Sequence, residues 1–293
     1  MPEMDLQETT ERTEAATSYM QEEPDSYISF LEECYQESRN SSQKIRATWK
    51  TCFEAYNHIQ DYSEKEEWQS KLTLGAPRVT VHRAKSIIVS ALTNTPDFVS
   101  VQPVNKSEDS ALLAAAWNKV IQYHLSESQS NFILHFGDSS EPGFAIGQSM
   151  EMTPVWGKRD GKWGITFDMG LPWQTFRDPN ASPRSPQSGM YLIREEWVDL
   201  YILLNGMEKG VYENVDLTFG GSSNKQQDVR TPFKPTTAVH PRRKPVRVRR
   251  LYGTILGRNG EMLLENATYT VAVDEGKIIQ AVRPTGFTSI KWP

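Results

Sequence analysis

The sequence predicts an α+β fold in which helices come first and a mostly antiparallel β region follows. Three observations predict it. Residues 26–125 carry apolar side chains at three- and four-residue spacing, the period of an amphipathic helix. From Phe132 onward this period gives way to short alternating runs, punctuated by glycines at 137, 143, 147, 157, 161, 164 and 170, as strands and turns require. The chain has 293 residues, 38% hydrophobic and 24% charged, enough for one large domain or two smaller ones.

Residues 1–25 read as an acidic, disordered leader, because Glu, Thr and Gln dominate and large apolar side chains are few. Residues 26–62 read as one or two helices, with Tyr27, Phe30, Leu31 and Cys34 on one stripe and Ile45, Trp49, Phe53, Tyr56 and Ile59 on another. Two further helices fall within residues 68–125. In the first, Val79, Arg83, Ile87 and Leu92 alternate with Val81, Ala84, Ile88 and Ala91, and Thr95-Pro96 stops it, since proline pushes its predecessor out of the αR region. Phe98, Val99 and Val101 then read as an extended run to Pro103. The second helix starts near Ser107, with Glu108 and Asp109 in its first turn where the macrodipole favours acids. Its expected buried face is Leu112, Trp117, Val120, Ile121 and Leu125.

In the β region, Met150 and Met152 alternate with Ser149, Glu151 and Thr153, and Lys158 to Lys162 form a hairpin turn between Trp156 and Trp163. Asp178-Pro179-Asn180 reads as a turn in which Asp caps, Pro fixes φ and Asn tolerates αL. Glu195 to Leu204 reads two ways, as a continuation of the Tyr191 strand or as a short helix closed by Asn205-Gly206. Residues 218–245 are rich in Gly, Ser, Pro and Gln and read as an exposed loop or linker. Beyond them, strands are expected on either side of a turn at Gly257 to Gly260, with a second hairpin through Asp274-Glu275-Gly276. The organisation expected is therefore a leader (1–25), a helical then β domain (26–217), a linker (218–245) and a β-hairpin segment (246–293).

The net charge of -5 hides an asymmetry. Residues 1–40 hold eleven acids against Arg12 and Arg39, leaving -9, so the remaining residues carry +4. Such a mildly basic body is poor for gripping DNA, because Lys and Arg contacts to phosphate supply most non-specific affinity. It suits a surface past which DNA slides. No apolar run reaches bilayer-spanning length and no signal peptide opens the chain. Cys34 and Cys52 offer neither a disulfide framework nor a metal knuckle.

Catalytic and metal constellations are not expected. The histidines at 58, 82, 124, 135 and 240 make no zinc-type spacing. The acid pairs Glu66-Glu67, Glu108-Asp109 and Glu195-Glu196 are sequence neighbours and point to different faces. No glycine-rich segment fits a phosphate cradle, and no nucleophile elbow occurs, so no cofactor is expected. Of the eight tryptophans, Trp49, Trp68, Trp117 and Trp163 fall on apolar faces and read as core.

The strongest local charge feature is Arg242, Arg243, Lys244, Arg247, Arg249 and Arg250. Nucleic-acid contact, pairing with an acidic face of a neighbouring copy, and a solvated strand edge that resists aggregation are its three readings. The last two take precedence over DNA contact, because DNA binders carry more charge.

The order of these elements is similar to a known family. The helix ended by Thr95-Pro96, the "FVSVQP" run and the "SEDSALLAAAWNKVIQYHL" helix resemble the N-terminal part of bacteriophage portal (head–tail connector) proteins of the podovirus branch. "LPWQTFRDPNASPRSPQSGMYLIREEWVDLYILL" and "RRLYGTILGRNGEMLLENATYTVAV" continue the resemblance, over residues 46–293 or so. It implies a wing-like α+β body, a chain that ends at Trp292-Pro293 before the stem, clip and crown regions, and no enzymatic activity. It further implies a dodecameric ring of copies at the capsid vertex of the virion, assembled in the host cytoplasm. Double-stranded DNA passes that ring in packaging and ejection, and terminase, tail or adaptor proteins, and capsid or scaffolding protein dock on it. Two alternatives come from other classes: a tail adaptor or carbohydrate-binding module with aromatic platforms, and a metal-dependent hydrolase or nuclease using Asp178 with Glu195 or Glu196.

Overall fold

The computed structural model describes residues 18, 20, 23–59, 63–69, 75–94, 100–126, 131–159, 162–182, 186–220, 243–257 and 259–284. In chain order the elements are helices α1 (Pro24–Tyr56), α2 (Ala76–Thr93), α3 (Glu108–Ser126) and α4 (Phe132–Ile146), then strands β1 (Glu151–Arg159), β2 (Lys162–Gly170), β3 (Thr175–Arg177) and β4 (Tyr191–Asp199). Helix α5 (Leu200–Glu208) and strands β5 (Pro245–Leu256), β6 (Met262–Ala272) and β7 (Lys277–Pro284) complete the fold. The fold is α+β, helices first. Among the described residues, no helix is long and apolar enough to cross a membrane.

The chain divides into two compact units, residues 1–47 with 173–293, and residues 48–172. This differs from the expected 26–217 domain with a separate segment after the linker. The reason is sheet order. Strands β3-β4-β5-β6-β7 form one antiparallel sheet in that sequence, so β5 sits between β4 and β6 and residues 245–284 complete a sheet begun at Thr175. Most of the leader (1–17, 19 and 21–22), most of the linker (221–242) and the last residues (285–293) lie outside the described residues.

In the sheet unit both sheet faces are covered. On one face the start of α1 lays down Tyr27, Leu31, Cys34 and Tyr35 against Tyr191, Ile193, Leu251, Ile255, Tyr269 and Val271. Each fully buried large side chain here contributes about 1.5–3 kcal/mol. Two phenols also tie helix to sheet, since Tyr269 Oη donates to Tyr27 O (2.9 Å) and Tyr191 Oη donates to Cys34 O (2.9 Å). On the opposite face α5 brings Leu200 and Leu203 against Val246, Val248 and Ile279, with Val215 and Phe219 beside them. The two readings of Glu195–Leu204 are thus both realised, strand to Asp199 and helix from Leu200. That helix runs past the expected stop at Asn205-Gly206 and ends at Glu208, with Gly210 in the left-handed region (φ 70°).

In the other unit, β1 and β2 form the expected hairpin, Glu151 pairing with Gly170 through to Arg159 with Lys162, while the turn at 160–161 lies outside the described residues. Helices α2 and α3 match the expected spans. Two expectations fail. Residues 100–103 carry no strand, and Phe98 and Val99 lie outside the described residues. The strands expected from Phe132 begin only at Glu151, because Phe132–Ile146 is helical despite Gly137, Pro142 and Gly143. Packing overrides propensity there. A Cβ at Gly137 would come 2.9 Å from Val89 Cγ2, so the glycine lets α4 approach α2 closely, and Gly147 (φ 82°) closes α4 in the left-handed conformation.

Candidate functional site

The basic run does not form one patch. Arg242 lies outside the described residues. Arg243 is exposed, 3.8 Å from Asp199, and Lys244 donates to Leu217 O at 3.1 Å. Arg247 bonds Asp274 at 2.6 Å. Arg249 is 2% exposed, so it is no solvated edge, and β5 is not an edge strand. The physical cause is register: Arg249 stands opposite Glu195 in β4, on the sheet face that α1 covers. Its guanidinium bonds Glu195 and Glu32, and lies 3.4 Å over the Tyr35 ring. Burial is the largest influence and works against this cation, yet the Glu195 carboxylate, Tyr35 and Glu32 together hold its pKa above the ordinary arginine value. Arg250 faces the opposite side, where it bonds Thr270, Tyr252 and Tyr212 at 3.3–3.4 Å.

The acids of the hydrolase alternative are likewise engaged. Both Asp178 oxygens accept backbone N–H groups, from Asn180 (2.8 Å) and Met190 (2.7 Å), so this buried carboxylate builds the expected turn. Glu195 binds Arg249 on one sheet face, and Glu196 binds Arg194. Alternation along β4 puts the two acids on opposite faces. They do not share a site.

A polar cluster that the sequence reading did not single out joins α1, α2 and α4 within the helical unit. Tyr56 Oη donates to Glu141, and Lys85 Nζ donates to both Glu141 (2.7 Å) and Asp138 (2.6 Å). Arg78 Nε donates to His82 Nε2 at 3.3 Å, and the Tyr56 hydroxyl lies 3.4 Å from the same nitrogen. Burial and the Glu141 carboxylate push the Tyr56 phenol up to about 12. Burial alone would raise the pKa of Glu141, but hydrogen bonds from Lys85 and Tyr56 hold it below the ordinary carboxylate value. Beside the cluster is a groove of about 480 Å³ lined by Val89, Ile133, Leu134 and Gly137 among others. The i, i+4 spacing of Arg78 with His82, and the apolar stripe between them and Ile88, were the only signals available in sequence.

The helical unit departs most from expectation in its apolar faces. Leu112 (65% exposed), Trp117 (53%) and Val120 (44%) were expected in a buried face, and all three are open to solvent. Leu113 and Tyr123 are exposed with them. At about 100° per residue these side chains and Ala116 fall within an arc of about 140° on α3. The inward side is carried by Ala114, Ile121 and Leu125, which are buried or half-buried. Helix α3 is therefore apolar on two sides and covered on one. Trp68 is exposed as well, whereas Trp49 and Trp173 are buried; the side chains of Trp156 and Trp163 lie outside the described residues.

Among the described residues no group of three or more His, Cys, Asp and Glu side chains gathers as metal ligands would. His240 lies outside the described residues. Burial pushes the Cys34 thiol up to about 12, with Glu37 adding to it, which makes it a poor nucleophile. No protein-family model matches the chain, and no curated protein matches it.

Proposed function

We propose that this chain is a structural subunit of a bacteriophage portal, self-associating into a ring through which the genome passes. The observation that carries the proposal is the uncovered α3 face, Leu112, Leu113, Trp117, Val120 and Tyr123, on a helix already apolar on its inward side. Soluble monomers rarely leave contiguous apolar surface of this kind open, and its usual meaning is an interface. The order of elements, which resembles the N-terminal part of portal proteins, is what supports the portal class over other self-associating proteins. The role is geometric: a closed ring needs rigid subunits whose neighbours bury each other's edges. Terminase, adaptor and capsid or scaffolding proteins are the partners this reading implies. Negative-stain microscopy of the purified chain, with light-scattering mass, tests it. Closed rings at a multiple of 33.4 kDa are expected, and a stable monomer under assembly conditions overturns the reading.

A further inference from the structure

Two helices of the same unit present different exposed faces. On α2, Val79 (49% exposed), Arg83 and Ile87 (70%) follow one another at four-residue spacing and form a single ridge. On α3, Asp109, Leu113 and Trp117 form one ridge and Leu112, Ala116 and Val120 a second, again at four-residue spacing. Between them runs a groove whose side wall is lowered at Ala116. The faces do not cover each other within the chain, since both are open to solvent. They are also complementary in charge. Arg83 interrupts the α2 ridge, and Glu108 and Asp109 open the α3 groove; all three are exposed. No hydrogen bond or ion pair holds any of the three side chains among the described residues.

We infer that α3 of one copy seats on α2 of the next, the Val79–Arg83–Ile87 ridge entering the α3 groove. Arg83 then meets the acidic start of α3. Packing a four-residue ridge into a four-residue groove gives a crossing angle of about -50°, the commonest helix–helix geometry. Because ridge and groove are different faces, one copy can give its ridge to one neighbour and its groove to another. Such a head-to-tail contact repeats until a ring closes; the ring reading selects this arrangement over a two-fold dimer in which the same two faces pair reciprocally. A second copy is the occupant favoured here, because one chain supplies both the ridge and the groove together with the opposed charges. This inference deepens the ring proposal and rests on it.

Mixing complementary variants of the full chain tests it. Ile87→Glu damages only the ridge and Trp117→Glu only the groove; both positions are exposed, so circular dichroism should remain that of the wild type. Each variant alone should run as a 33.4 kDa monomer, and an equimolar mixture should give a species of twice that mass, since one intact contact remains. Assembly of the Ile87→Glu variant like the wild type would overturn the pairing while leaving the ring reading intact. A mixture that stays monomeric would also overturn it. A wild-type chain that never assembles would instead remove the ring reading itself. Charge exchange gives an independent arm: Arg83→Glu and Asp109→Arg should each weaken association at least tenfold, and the double variant should recover most of it at low salt. No recovery counts against the Arg83–Asp109 contact, provided the single variants are folded.

Discussion

At the scale of single residues, Arg249 governs the sheet unit. A buried guanidinium with two carboxylates and an aromatic ring around it is costly to leave half-made. Arg249→Ala strands Glu195, a nearly fully buried carboxylate, and should cost about 3–5 kcal/mol in urea unfolding, a large share of the stability of any domain. Replacing Arg249 and Glu195 together by Met and Leu should recover most of the loss, and an additive double variant would show that the pair is not coupled. The sequence made the arginines visible but not their partners. Glu195 is 54 positions away and Glu32 is 217 away, so only strand register and helix docking reveal the pairing. The same blindness explains why a solvated edge and pairing with a neighbouring copy stood as the leading readings of the run. Alternation puts Arg247 and Arg249 on one face, but says nothing about what covers that face.

At the scale of elements, legibility followed the strength of local punctuation. Helix α2, which ends at Thr93, was readable because the sequence Thr95-Pro96 signals a stop, and α3 because Glu108 and Asp109 mark its start. The β1–β2 hairpin was readable from its turn. Helix α4 was not, because Gly137, Pro142 and Gly143 suggest breaks that tertiary packing overrides; close approach to α2 is the reason for Gly137 at least. Gly253 has an equally specific cause. It sits inside β5 at φ 134°, opposite Tyr191, and a Cβ there would overlap Met190 O and come 2.9 Å from Tyr191 Cα. Gly253→Ala should therefore cost at least about 2 kcal/mol by denaturant titration, from strain plus displacement of β4. A neutral result would mean that the β4–β5 pair shifts freely, in conflict with its continuous register from Tyr191 to Asp199.

At the scale of the whole molecule, the division into two units was hidden from the sequence. Sheet membership is decided by pairings between distant segments, and the low-apolar stretch at 218–245 looks like a boundary although the chain returns from it into the same sheet. The exposed α3 face was hidden for a related reason. Periodicity reports that a face is apolar, not whether this chain or another copy covers it. Only the apolar character of both sides of α3 hinted at an additional contact. One feature of the sheet unit reaches beyond the finished protein. Tyr27 in α1 accepts its hydrogen bond from Tyr269, 242 positions later. A ribosome adding about 5–20 residues per second leaves that first helix waiting roughly 12–50 s for its strands. Stalled nascent chains stopped before Pro245 should expose the Tyr27–Tyr35 stripe to protease and to holding chaperones, and release past Pro284 should protect it. Synthesis, rather than the folded state, is then the stage at which this protein is most vulnerable to misfolding.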